Sequence, residues 1–263
     1  MSAWLSLTRK EIRLGLPVFL VPVVAFFLLT GIAYYIGNRQ GFGWEAVVGV
    51  SIAAVGVQVF YLVFYLFCSL QSERKRLHLW LHNPMPGYLL LLAKIAAGFL
   101  SLLVTLLVTG STLLIAFNLA DSISEHLQIA NFLEMVFFIG SHILLIALSF
   151  AALFLFFWMI FLVFTRYLGT FLSFLSTFIL FIATATLYSW FSSSIVYEKL
   201  NNWGLFELNM LEGISINVEN GSTQVFTETD TISLYAGTYL FETVIALLLF
   251  LAASWLLDKK AEV

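Results

Sequence analysis

Six apolar runs divide this chain, at Leu16–Tyr35, Ala46–Leu70, Leu89–Leu119, Phe132–Phe164, Leu168–Trp190 and Leu234–Leu257. Each is near or above the ~20 residues that cross a bilayer as an α-helix. The pattern predicts an all-α integral membrane protein with six transmembrane helices in one domain, residues 1–263. The fourth run would extend ~50 Å at ~1.5 Å per residue, against a hydrocarbon core of ~30 Å. It must tilt, protrude, or begin as an interfacial segment around Glu134 and His142.

Between the second and third runs lies QSERKRLHLWLHNPMPGYLLLLAK, residues 71–94, the one densely charged stretch enclosed by apolar sequence. Leu77, Trp80, Leu81 and Pro84 fall at helical spacing, and Pro84 and Pro86 stop the helix before the third run. The segment reads as a short amphipathic helix along the membrane surface. The first fifteen residues form a second amphipathic candidate. Trp4, Leu5, Thr8 and Ile12 gather on one side of a helical wheel and Arg9, Lys10 and Arg13 on another. This pattern predicts an interfacial helix that ends where Pro17 starts the first span, with a disordered basic tail as the alternative.

The longest connection, Phe191–Ser233, has helical character in its first half, with the membrane-seeking aromatics Trp203 and Phe206. Its second half alternates around Asn220-Gly221, a hairpin signal. Asn220-Gly221-Ser222 also matches a glycosylation triplet, a short and unspecific pattern.

Composition agrees with a membrane protein. Hydrophobic residues make up 61% of the 263 and charged residues only 10%, against roughly 25% in a soluble domain. Mean hydropathy is +1.00. The net charge of −3 hides a segregation of sign along the chain. Arg9, Lys10, Arg13, Arg74, Lys75, Arg76, Lys94, Arg166, Lys259 and Lys260 fall on one face of the six-span topology, leaving Arg39 and Lys199, of 12 cations, on the other. Positive charge resists translocation, so both termini and segment 71–94 are expected in the cytoplasm of a multi-pass plasma-membrane protein. Eight acidic residues between Asp121 and Asp230 occupy the opposite loops, and Tyr and Trp cluster at both ends of the spans. Cys68, the sole cysteine, lies in an apolar run and reads as a packed small hydrophobe. The first run continues past Tyr35 without a signal-peptide cleavage pattern.

Candidate chemistry is sparse. The sequence has no GxxxxGK[ST] loop, HExxH motif or CxxC pair, and no spacing recommends a catalytic set. No catalytic residue, metal or cofactor is expected. His78 and His82, four apart without a neighbouring carboxylate, make a weak metal pair. Gln58, Tyr61 and Tyr65 share one face of the second span, and Glu242 enters the sixth about two turns below its end. Ionisable groups in a membrane are costly, which makes Glu242 a functional candidate; the competing reading is a carboxyl hydrogen-bonded to a neighbouring helix. Ser173, Thr177 and Thr184, and the stripe Gly49, Ala53 and Gly56, read as close helix packing.

Six spans, internal termini, an amphipathic N-terminal helix and a charged second-to-third connection together resemble the permease subunits of the ABC-2 family of ATP-driven exporters. The matching residues are Glu73 after the second span, the helix through Leu77, Trp80 and Leu81, the turn Pro84-Met85-Pro86, and Lys94 entering the third span. The chain departs from the family pattern just after Glu73, where it has Arg74-Lys75-Arg76-Leu77-His78. The resemblance implies a cytoplasmic coupling helix that meets a separate ATPase subunit through Glu73, Arg74, Arg76, Leu77, Trp80, Leu81 and Pro84. It also implies a second permease copy or paralogue, and an external gate formed by residues 191–233. Nucleic acid is not an expected partner. Gln58, Tyr61, Tyr65 and Glu242 are the candidate substrate path. The 27 Phe and the acidic outer loops suit a hydrophobic or amphipathic cargo, such as an antimicrobial peptide or drug. The alternative is a membrane-embedded accessory or enzyme subunit without transport activity.

Overall fold

The computed structural model describes residues 3–74, 85–120, 129–219 and 222–260. The chain forms an all-helical bundle of the multi-pass membrane type, with one β-hairpin attached. Among the described residues, five helical stretches are long and apolar enough to cross a membrane.

Helix α1, Ala3–Asn38, is continuous through Pro17 and Pro22. The sequence predicted a separate interfacial helix ending at Pro17, and the structure replaces it with a single rod. Each proline removes one backbone hydrogen bond, a loss that neighbouring helices can make good inside a membrane bundle. A tight turn through Gly41, at φ +84°, leads into α2, Gly43–Val57. Residues Gln58–Phe60 then wind as a single 3-10 turn before α3, Tyr61–Arg74. Helix α4, Gly87–Leu119, lies against α1, α2 and α3.

Helix α5, Ile129–Ser192, covers both the fourth and fifth predicted runs and breaks at Gly169 (φ +75°, ψ 170°). Phe157 and Phe181 lie twelve residues either side of this glycine, yet their ring centroids are 5.3 Å apart. On a straight helix ~36 Å would separate them. The chain therefore reverses at Gly169, in a backbone region that essentially only glycine occupies. The long fourth run begins its helix by Ile129 and packs beside α7, with the Tyr239 hydroxyl 3.1 Å from His142 Nδ1.

A short helix α6, Ile195–Asn201, follows, capped by the Ser194 side chain, which accepts from the Tyr197 amide. Strands β1, Leu205–Glu219, and β2, Ser222–Tyr235, pair antiparallel from Leu205↔Tyr235 to Glu219↔Ser222. The hairpin read around Asn220-Gly221 is thus present and extends further back than alternation suggested; those two residues lie outside the described ones. The helical half is shorter than expected, because Gly204 at φ +68° turns the chain and puts Phe206 on a strand. Helix α7, Ala236–Lys260, closes the bundle.

One core joins Leu62, Leu66 and Leu70 of α3 to Leu91 of α4, Ala151 and Leu155 of α5, and Ala253 and Leu257 of α7. A second joins Val47 and Val48 of α2 to Leu113, Ala116 and Phe117 of α4. The outer surface is covered with apolar side chains; Phe171, on the second arm of α5, is 79% exposed. Such a belt suits lipid or another protein and not water.

Candidate functional site

Tyr65, Ser69 and Glu73 recur every four residues on α3 and so share one face. That face meets Glu11 of α1 and Lys94 of α4. Lys94 Nζ lies 2.9 Å from Glu11 Oε2 and 2.8 Å from Glu73 Oε2. It also donates to Ser69 Oγ at 2.8 Å, and Ser69 Oγ donates to Glu11 Oε2 at 3.1 Å. The Tyr65 hydroxyl donates to the Glu11 carbonyl oxygen at 3.1 Å. Lys94 and Glu11 are almost wholly buried. Charges this far from water persist only when paired and hydrogen-bonded, and each of these is. The cluster ties three helices at one level.

A second tie sits close by. Helix α4 begins after Pro86, which has extended backbone and no side chain able to cap. Its free Gly87 amide instead donates to Asp258 Oδ1 of α7 at 2.7 Å. A carboxylate at a helix N-terminus satisfies an orphan donor and complements the helix dipole. Residues 75–84 thus connect two anchored points, Glu73 on Lys94 and Gly87 on Asp258.

Of the residues that the family resemblance assigns to an ATPase contact, Glu73 and Arg74 are described, and neither projects freely. Glu73 faces Lys94. Arg74 donates to Thr170 Oγ1 at 3.3 Å, and its guanidinium lies 5.0 Å from the Phe161 ring centroid, bracing the turn at Gly169. Arg76, Leu77, Trp80, Leu81 and Pro84 lie outside the described residues, as do His78 and His82.

The four candidate path residues fall in three places. Gln58 Nε2 donates to Thr109 Oγ1 at 2.8 Å, and Tyr61 and Ser101 hydroxyls are 2.6 Å apart. Gln58 and Tyr61 line a cavity of about 650 Å³ between α1, α2 and α4, walled by Phe26, Val57 and Phe64. Tyr65 belongs to a smaller cavity of about 170 Å³ with Gly15 and Ser101. Glu242 lines a third, of about 330 Å³, across the bundle between α4, α5 and α7. The shared helical face of Gln58, Tyr61 and Tyr65 is therefore real but largely internal, spent on packing against α1 and α4. Ser173 and Thr177 likewise bond to carbonyls of their own helix.

Glu11, Ser69 and Asp258 escape a reading by periodicity. The available signal for Glu11 is its position as the one acid within a basic N-terminal stretch, together with Lys94 placed in an apolar run that demands a counter-ion. Comparison with known protein families, curated proteins and solved structures finds no match.

Proposed function

We propose that this chain is the membrane-spanning permease subunit of an ATP-driven exporter of the ABC-2 type. In this reading six helices cross the membrane, the two arms of α5 counting separately. Both termini and the Glu11–Lys94 cluster lie on the cytoplasmic side, and residues 205–235 lie outside. Segment 75–84 receives a separate ATPase subunit, and two permease chains form the path for a hydrophobic or amphipathic substrate.

The observation that carries the proposal is the anchoring of both ends of segment 75–84. A push on that segment reaches α1 and α4 through Glu73, Lys94 and Glu11, and α7 through Gly87 and Asp258.

The deciding experiment is affinity purification of the full chain from its native membrane under gentle extraction. Co-purification of a nucleotide-binding subunit, weakened by Trp80→Ala in a normally inserted protein, is the expected result. Recovery without any such subunit, with topology reporters after residues 80 and 215 on the same side, would overturn the reading and favour an accessory role.

A further inference from the structure

Glu242 sits six residues into α7, with an exposed side chain, inside a helix whose every neighbour on the chain from Leu240 to Trp255 is uncharged. No hydrogen bond or ion pair to another described side chain engages its carboxylate. An ionisable side chain at membrane depth is costly and marks a functional position by default. Its surroundings are specific. Tyr239, one turn before Glu242 on α7, lines the same groove, and its hydroxyl is held 3.1 Å from His142 Nδ1. Below it opens the 330 Å³ groove, walled by Leu92, Leu145, Leu148, Leu247 and Phe250. That volume is at the lower end of the ~300–1,000 Å³ range of small-ligand sites.

We propose that this groove binds a single-chain cationic amphiphile, with its ammonium against Glu242 and its hydrocarbon portion between α4, α5 and α7. Charge complementarity selects the head: one carboxylate with nearby hydroxyl dipoles neutralises one monovalent cation. The aromatic and hydroxyl groups around it favour a soft organic ammonium, which the faces of Tyr rings also attract. The apolar walls, with Ser149 and Thr243 as the other polar lining side chains, select the tail. The inference names the substrate class of the proposed exporter; binding itself does not depend on that reading, and only transport after binding does.

The test uses the full chain in nanodiscs without an ATPase, and measures binding of dodecyltrimethylammonium and of the uncharged dodecyl maltoside by calorimetry. Glu242→Gln should weaken the ammonium about tenfold or more, as loss of a charge-assisted contact does. Glu242→Asp should retain most of the affinity, and dodecyl maltoside should distinguish none of the variants. Because Glu242 is exposed, neither substitution removes core packing, and unchanged helical circular dichroism verifies that. Equal ammonium affinity in wild type and Glu242→Gln overturns the inference, as does competition by zwitterionic bilayer lipid that abolishes the difference. A chain that binds through Glu242 yet never associates with an ATPase sinks the exporter reading alone.

Discussion

The Lys94 ammonium and the Glu11 carboxylate are 83 residues apart in the chain and 2.9 Å apart in the fold. Removing one partner of a buried pair strands the other. Lys94→Met leaves Glu11 and Glu73 facing each other without a cation. It should destabilise the detergent-solubilised protein by about 3–5 kcal/mol, read as a lowered thermal midpoint. Adding Glu11→Gln to Lys94→Met should restore part of the loss. A Lys94→Met protein that melts like the wild type would show that the cluster contributes nothing to stability.

Tyr65 fills a slot left open by two glycines. A Cβ at Gly98 would stand 2.7 Å from side-chain atoms of both Leu62 and Tyr65, and a Cβ at Gly15 would overlap the Tyr65 ring. Gly98→Ala should cost about 1–3 kcal/mol through overpacking. Tyr65→Phe, which loses only the bond to the Glu11 carbonyl, should cost about 0.5–1.5 kcal/mol. Thermal unfolding of the two variants should rank them in that order.

The reversal at Gly169 predicts proximity along the two arms of α5. In a Cys68→Ser background, Phe157→Cys with Phe181→Cys should be joined by a bifunctional thiol cross-linker of about 10 Å, the spacing of packed helices, whereas either cysteine alone should give no intramolecular product. Gly169→Ala should lower stability by about 1–3 kcal/mol, because φ +75° with ψ 170° penalises any Cβ. Failure of the paired cysteines to cross-link in the membrane would rule out the hairpin.

Asp258 acts as a cap supplied by a different helix. Asp258→Ala should destabilise by about 0.5–2 kcal/mol, the range of ordinary N-cap losses. The local signature is faster hydrogen exchange at the amides of Gly87 and Tyr88, with little change at the far end of α4. Uniform acceleration along α4 would argue against a capping role.

The apolar stretches were legible because runs of sufficient length have few other solutions, and Arg166 between the fourth and fifth runs marked a turn three residues before the reversal at Gly169. The hairpin was legible from two-residue alternation around Asn220-Gly221. What escaped was long-range: no local period relates Glu11 to Lys94 or Gly87 to Asp258. Pro17 misled the reading of α1, because proline costs a helix a backbone hydrogen bond without forbidding its continuation. The family resemblance did single out Glu73 and Lys94, which prove to be partners of each other.

The single 3-10 turn at Gln58–Phe60 gives the second span two facings. Three residues wound at 120° instead of 100° leave everything beyond them rotated by about 60° relative to a straight α-helix, and about 1.5 Å further along the axis. The first half of this span, α2, therefore serves the core of Val47 and Leu113, and the second half, α3, that of Leu66 and Leu155. The offset arises beside the 650 Å³ cavity, at a residue lining it, and is expressed about four helical turns away at Glu73. In geometric terms the span is an offset shaft, its two facings set by how three residues are wound.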